Sequence, residues 1–479
     1  MKSIWSQLEP PERRFILIVG LLALSLRVLY AFSVDLIPAT PLGIDMDAVE
    51  YDYLGWSIAQ GHGVVTHFGD PTSIRFPGYL YFLGLIYFSF GHHHLTVLLI
   101  QALIGSLTPI LIYLTARQIF SLRVSRIAAV VGAIYPGFIY FVGWLMTENL
   151  FMLLVSLLVY LTVSLKGGIG WKKLTVMGFL LGLLGLTRGI GIPFIGLIPL
   201  YIFLRTGGGF RQKISRAALV FAVAVLALIP WTVRNYLTYH RVMLPSSEGG
   251  IVLWMGFTNI PLIHYETQEA YAYVDSVGRD QASTEEFYRR LAENNYFGLT
   301  GMQRLFEIYY PDEPAPQSEP EASERLGRKA MALLFQNPMI WVVKSLKQIF
   351  RFWHVLDERG RFVNGYAFIL PFFIAGFWLL RRRLGELMPL YLYLLVLYAI
   401  AIVFFADARF RLPFEGIMII VGAFAIERFL ALFRRIYWGY GILAAYFLFG
   451  FYLRLHSLEV RLALRSIAGA LGFQVIEMQ

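Results

Sequence analysis

Four carboxylates crowd one short segment, GIDMDAVEYDYLGWSIAQGHG, at Asp45, Asp47, Glu50 and Asp52. With helical spacing from 47 to 59, Asp47, Tyr51 and Leu54 share one face and Ile58 follows one turn on. A carboxylate held there could act as a general base or a metal ligand, or could simply complement the positive end of a helix dipole. One cation, Arg75 in RFPGY, follows the acidic stretch. Glu148 in TENLF, Arg188 in LTRG, Arg234 in PWTVRNY, and Arg409 and Arg411 in ADARFRLP stand at the edges of apolar runs, and Arg27 lies inside one. Facing lipid at the bilayer centre, Arg27 would cost about 2.5–3.5 kcal/mol, so it either snorkels to the headgroups or works inside a bundle. Each of the others, taken singly, suits an ion pair or a snorkelling anchor beside aromatic residues. Taken together they set two carboxylate patches against several arginines. The guanidinium fork stays charged near lipid and binds oxygen pairs, so the ligand this set suits is a phosphate of the kind an anionic lipid carries. His62, His67 and the run His92-His93-His94 could join a carboxylate around a metal, although wet loop histidines are the plainer reading. No P-loop, GxSxG, HExxH or dinucleotide fingerprint occurs.

The elements that must position these groups are membrane helices. Of 479 residues, 57% are apolar and 15% charged, against roughly 25% charged in a soluble domain. The fold class expected is an all-α polytopic membrane protein. At about 20 residues per crossing, eleven spans fit: near 15–34, 95–116, 126–146, 148–165, 173–188, 190–204, 217–234, 364–380, 387–405, 412–428 and 436–453. This set puts every Lys/Arg cluster (13/14, 117–126, 166–173, 205–216, 381–383 and 428–435) on one, cytoplasmic, side. The net charge of +10 is therefore an orientation signal, and no polybasic tail points to nucleic acid. Lys2, Arg13 and Arg14 precede an apolar run without a cleavage site, which reads as an uncleaved first helix. The chain has no cysteine, so disulfides, thiolate metal sites and cysteine nucleophiles are out.

The segment 78–91 is apolar but only about 14 residues long, too short to span, and reads as an interfacial or re-entrant piece of a first external loop, 35–94. Three regions follow: an N-terminal transmembrane core (1–234), an external region (235–363) and C-terminal transmembrane helices (364–479). Within the second, the run PDEPAPQSEPEASE from Pro311 reads as a mobile surface loop. Residues 282–296 and 322–336 have helical spacing. The stretch from Asn337, with Lys344, Lys347 and Arg351 interrupting an apolar face, reads as an amphipathic helix on the outer leaflet. No internal repeat of the transporter kind is present.

The ordered series D-A-V-E-Y at Asp47, R-F-P-G-Y at Arg75, F-G at Phe90, T-E-N-L-F at Thr147, G-L-L-G-L-T-R at Gly182, P-W-T-V-R-N-Y at Pro230 and R-F-R-L-P at Arg409 resembles the bacterial GT-C glycosyltransferases. Within these it is similar to the group containing protein O-mannosyltransferases and the aminoarabinose transferase that modifies lipid A. The likeness covers most of residues 10–430; the region from 240 to 360 matches no recognisable acceptor module.

The resemblance implies transfer of a sugar from a polyprenyl-phosphate donor to a lipid or protein acceptor, on the external (periplasmic) face of an inner membrane, with inversion. The chemistry of the residues agrees: phosphate is already a good leaving group, so one carboxylate base and positive charge suffice. By position the base is Asp47, with Asp45 as the alternative. Relatives often have adjacent Asp-Glu here, whereas Asp47 is followed by Ala48; where they have Lys-Pro-Pro, this chain has Arg75-Phe76-Pro77. Glu148, an Asp in many relatives, would orient the acceptor or a metal. Arg75, Arg188, Arg234, Arg409, Arg411 and Arg27 become candidates for the carrier phosphate, and Tyr51 for a further substrate contact. Some members use a divalent metal ion and others none, and the sequence leaves this open, with the sugar, the acceptor and the oligomeric state. The alternative readings are a transporter or flippase of a lipid-linked anion, which would favour midplane charges on broken helices, and a ligase or polymerase of lipid-linked glycan.

Overall fold

The computed structural model describes residues 8–34, 46–66, 69–167, 170–243, 245–258, 298–353, 365–404, 408–433 and 436–455. Among them the regular structure is helical, apart from one isolated bridge between Val65 and Pro71. In chain order the helices are α1 (Pro10–Ser33), α2 (Met46–Ala59), α3 (Pro77–Phe90), α4 (His94–Arg117), α5 (Leu122–Ile134), α6 (Pro136–Tyr140), α7 (Glu148–Val163), α8 (Trp171–Thr187), α9 (Ile192–Arg205) and α10 (Phe210–Tyr239). They continue with α11 (Glu248–Thr258), α12 (Gly298–Tyr309), α13 (Glu319–Gln336), α14 (Pro338–Trp353), α15 (Tyr366–Leu379), α16 (Leu384–Val403), α17 (Ala408–Ala431) and α18 (Ile436–Leu455).

A helix lies at every position where a span was expected, α5 and α6 together forming one that bends by 44° at Tyr135 and Pro136. Among the described residues, four helices are long and apolar enough to cross a membrane (α1, α4, α10 and Arg381–Val403), or five with the bent pair. Of the rest, α7, α9 and α15 are shorter, and α17 carries Arg409, Arg411 and Glu415. Helix α17 is the hub. It packs against α5, α7 and α15, and Phe414, Ile417, Met418 and Val421 join the largest buried cluster.

Three of the basic clusters, those at 117–126, 205–216 and 381–383, meet at one end of the bundle. Arg117 pairs with Glu12 at 2.8 Å, Arg383 donates to the Ile119 carbonyl at 3.4 Å, and Arg205 donates to the Gly385 carbonyl at 2.8 Å. The short α3 packs on α2 and α8, burying Leu80, Leu83 and Tyr87 while Tyr81, Leu85 and Phe88 stay exposed.

In the intervening region the described residues 245–258 and 298–353 are more ordered than the composition suggests. Helices α11, α12 and α13 build a core of their own around Ile251, Trp254, Phe306 and Leu326. The Pro-rich run, expected to be mobile, is instead fastened. Glu313 pairs with Arg325 at 3.0 Å and with Lys329, Ser318 caps α13 by accepting from the Glu321 amide, and Arg325 and Lys329 lie over the Phe306 and Tyr310 rings. The acids that suggested solvation are the ion-pair partners that hold the run down. The expected helix over 282–296 lies outside the described residues. Helix α14 forms as expected, with Trp341, Val342, Val343 and Leu346 exposed, but Lys344 turns inward. Its ammonium donates to the Val403 carbonyl at 2.7 Å, at the C-terminus of α16, where carbonyls lack helical partners.

Candidate functional site

At the end opposite the basic clusters, four elements bring charged groups together. Asp47 sits in the first turn of α2. Arg75 lies in the loop before α3, Arg188 caps the end of α8, and Arg409 opens α17. Arg75 donates to Asp47 Oδ1 at 2.5 Å and, through Nε, to Glu50 Oε2 at 2.6 Å. Arg409 donates to Asp47 Oδ2 at 2.8 Å. Both oxygens of Asp47 are therefore engaged by guanidinium groups from opposite ends of the chain. Burial alone would raise the Asp47 carboxyl, but Arg75 and Arg409 outweigh it and hold the group well below the usual carboxylate range. Glu50 behaves differently: burial raises its carboxyl in spite of Arg75.

A second pair stands beside the first. Arg188 donates to Glu148 Oε1 at 2.7 Å, and its guanidinium lies 5.0 Å from the centre of the Phe410 ring. Arg409 approaches the same ring at 5.6 Å. Phe410 thus joins the two ion pairs through cation–π contacts. Tyr51 underlies the cluster, with Arg75 5.3 Å above its ring and Tyr79 edge-on to it.

Close packing of the loop depends on Gly78. A Cβ there would come within 3.0 Å of the Leu186 backbone and 2.7 Å of Thr187 Oγ1, so only glycine lets the start of α3 rest on the end of α8. That contact is what sets the Arg75 loop beside Arg188.

Three other arginines take different places. Arg411, two residues after Arg409, points about 200° away around the helix. It is fully buried, bonded to Glu415 at 2.8 Å and lying over the Tyr366 ring, and Tyr135 completes this knot by donating to Glu415 at 2.8 Å. Arg27 is also fully buried and donates to the carbonyls of Ala23 and Ala133 at 3.0 and 3.1 Å; it is inside the bundle, with no snorkelling. Helix α5 stops at Ile134, so the Ala133 carbonyl is available as an acceptor. Arg234 braces the first loop by donating to Val64 and Thr72 carbonyls at 3.0 and 2.9 Å. Asp45 lies outside the described residues.

Sequence reasoning missed one member of the cluster. Glu248, at the start of α11, interacts electrostatically with Arg75, Arg188, Asp47 and Glu50, and burial raises its carboxyl. It comes from the region that matched nothing recognisable, and only the S-S-E helix start could have marked it. A second grouping was read as wet loop histidines: His92 and His94 both bond Asp52, at 2.9 and 3.0 Å. The arginine-filled cluster does not offer a metal a free set of donors, because each oxygen of Asp47 already accepts from a guanidinium. Among the described residues the one group of three that fits a metal is Asp52, His92 and His94.

Residues 72–233 match the family described as dolichyl-phosphate-mannose-protein mannosyltransferase. Comparison with curated proteins finds no match. Among solved structures, the archaeal oligosaccharyltransferase AglB from Archaeoglobus fulgidus, in complex with an inhibitory peptide and a dolichol-phosphate, superposes with a TM-score of 0.52 at 15% identity, over 96% of this chain and 56% of that one. The same archaeal enzyme in complex with Zn and sulfate gives 0.52 at 17% identity, over 90% and 51%. ArnT from Cupriavidus metallidurans, bound to undecaprenyl phosphate, gives 0.40 at 14% identity, over 86% and 78%. The chain spans about half the length of the oligosaccharyltransferase it matches. The expected all-α polytopic fold is borne out by the superposition, and the expected likeness to the protein mannosyltransferase group by the family match over residues 72–233.

Proposed function

We propose that this chain, which has the GT-C glycosyltransferase fold and matches the mannosyltransferase family at 72–233, transfers a sugar from a polyprenyl-phosphate donor to a lipid or protein acceptor, with inversion, on the external face of the cytoplasmic membrane. The observation that carries this reading is the Asp47 carboxylate held between Arg75 and Arg409. One acid and two fixed cations are what displacement of a phosphate-linked sugar needs.

In this reading Asp47 and the donor phosphate compete for the same guanidinium groups. With the donor absent, Arg75 and Arg409 suppress the basicity of Asp47. When the phosphate takes up their donor hydrogens, the carboxylate is released as a base. The acceptor hydroxyl oxygen then forms its bond to the anomeric carbon and passes its proton to Asp47. The bond from that carbon to the phosphate oxygen breaks, and its electron pair leaves with the carrier phosphate between the arginines. Arg188, steered by Glu148, stands ready on the far side of Phe410 as a third phosphate contact. Tyr51 floors the site, and Glu248 supplies a second carboxylate that can meet the acceptor. Arg27, Arg234 and Arg411 are bracing groups in this scheme.

In this scheme residues 1–234 supply Asp47, Arg75, Glu148 and Arg188, 235–363 supply Glu248, and 364–479 supply Arg409. The acidic site at the end opposite the basic clusters supports an external, periplasmic position. The test is transfer from a panel of labelled polyprenyl-phosphate monosaccharides, with protein in lipid and membrane extract as acceptor. Label passing to a lipid or protein is the expected result, and no transfer from any donor that nonetheless binds would overturn it in favour of a glycan ligase or a flippase.

A further inference from the structure

Asp52 lies on α2 five residues after Asp47, about 140° around the helix, so it faces away from the arginine cluster. Its side chain is 2% exposed. Gly91, with φ of 81°, ends α3 in the left-handed region, where glycine carries no steric penalty. The turn it makes delivers two imidazoles to one carboxylate. His92 Nε2 is 2.9 Å from Oδ1 and His94 Nε2 is 3.0 Å from Oδ2. The three ligand atoms lie within 4.8 Å of one another, and bonds of about 2.0–2.2 Å to one tetrahedral ion need separations of about 3.4 Å. The two nitrogen–oxygen distances lie below that separation and the outer limit lies above it, so the donor set brackets the spacing one ion needs.

The surroundings are those of a built site. Tyr87 donates its phenol to Asp52, and Trp56 stacks on the His92 ring at 4.9 Å and 12°. These contacts orient a carboxylate and an imidazole in the way that outer-sphere partners do around metals. Two neutral imidazole nitrogens and a carboxylate suit zinc, cobalt(II) or nickel(II), and do not suit magnesium or calcium, which take oxygen ligands. We propose that Asp52, His92 and His94 bind one divalent transition-metal ion, of which zinc is the physiological candidate, and that this ion staples α2 to the α3–α4 turn. It is a positioning site: α2 is the helix that carries Asp47, Glu50 and Tyr51, and the ion holds it from behind without touching the reacting groups.

The test uses the full chain in lipid nanodiscs, stripped with chelator and titrated with Co(II). The wild type is expected to develop visible d–d absorption saturating at one equivalent, bleached by Zn(II), with a higher unfolding temperature when zinc is bound. The double variant His92→Gln/His94→Gln should lose both signals, while His93→Gln and Asp47→Asn keep them. Absence of a one-equivalent cobalt spectrum in the wild type, or an undiminished one in the double variant, overturns the proposal. Should the double variant fail to fold, X-ray absorption on the zinc-loaded wild type decides: two imidazoles in the first shell support the site, and none or one rejects it. None of these readouts depends on sugar transfer.

Discussion

Arg409 meets Asp47 across 362 residues of chain, its Nη2 2.8 Å from Oδ2. The other carboxylate oxygen accepts from Arg75, only 28 residues away. One acid is thus the point where the first loop and the C-terminal helices are tied together. In such an arrangement the charge of each member is balanced by the others, and an anion entering the cluster competes with the carboxylate for both guanidinium groups.

Replacing the acid should separate chemistry from binding. Asp47→Asn keeps the size of the side chain and removes its charge, and transfer should fall by roughly 100-fold or more, the scale of a positioned general base. Donor affinity should hold or improve, because the arginines lose their competitor. Single-turnover transfer and calorimetric donor binding measure the two, and wild-type turnover in Asp47→Asn removes the residue from the role of base.

The arginines should behave in the opposite way. Arg75→Gln and Arg409→Gln each lose a charge-assisted hydrogen bond, about 1.5–3 kcal/mol, so donor binding should weaken about 10- to 100-fold. Because both contact one carboxylate, their effects should not add in a double-mutant cycle. Unchanged donor affinity in both single variants would sink the assignment to phosphate.

Arg411 gives the contrast, since its neighbour in sequence is not its neighbour in function. Arg411→Gln leaves Glu415 buried without its cation, which costs about 3–5 kcal/mol. A lowered unfolding temperature in detergent should be partly restored by adding Glu415→Gln. Folded protein that survives should bind donor as wild type does, and a specific loss of donor affinity at unchanged stability would move Arg411 into the site.

Gly78 tests the packing that brings the two ion pairs together. Gly78→Ala drives a methyl group against the Leu186 backbone, an overpacking cost of about 1–3 kcal/mol. The expected outcome is a lower unfolding temperature together with reduced transfer. Wild-type values of both would show that the approach of α3 to α8 is not needed.

A pH effect should come from Glu319, which accepts from the Ser73 amide at 2.7 Å beneath the Arg75 loop. Burial pushes its carboxyl up to about 7. A group raised in the folded state contributes stability that is complete below its ordinary value near 4.5 and is lost as pH rises through 7. Glu319→Gln should therefore match the wild type at acid pH and exceed it at pH 8, by up to roughly 3 kcal/mol. Thermal unfolding between pH 5 and 8.5 checks this, and parallel curves for the two proteins would refute it.

Much of this molecule is legible in its sequence. Asp47, Arg75, Glu148, Arg188 and Arg409 could be picked out because a charge at the end of an apolar run stands out against lipid. Which of them touch could not. Arg409 and Arg411 look equivalent in ADARFRLP, and only the turn of α17 sends one to Asp47 and the other to Glu415. His92 and His94 look like loop histidines until Asp52 appears between them. The acids of the Pro-rich run suggested mobility because their partners, Arg325 and Lys329, are more than ten residues on.

The division has a physical cause. Lipid demands that each crossing satisfy its own backbone hydrogen bonds, so spans are written locally, as apolar runs bounded by charge, and the fold class and the helix positions follow from sequence alone. Ion pairs, metal ligands and close helix crossings join residues tens to hundreds of positions apart. They depend on helix rotation and on packing at single glycines, which no local pattern encodes, and the tertiary structure alone decides them.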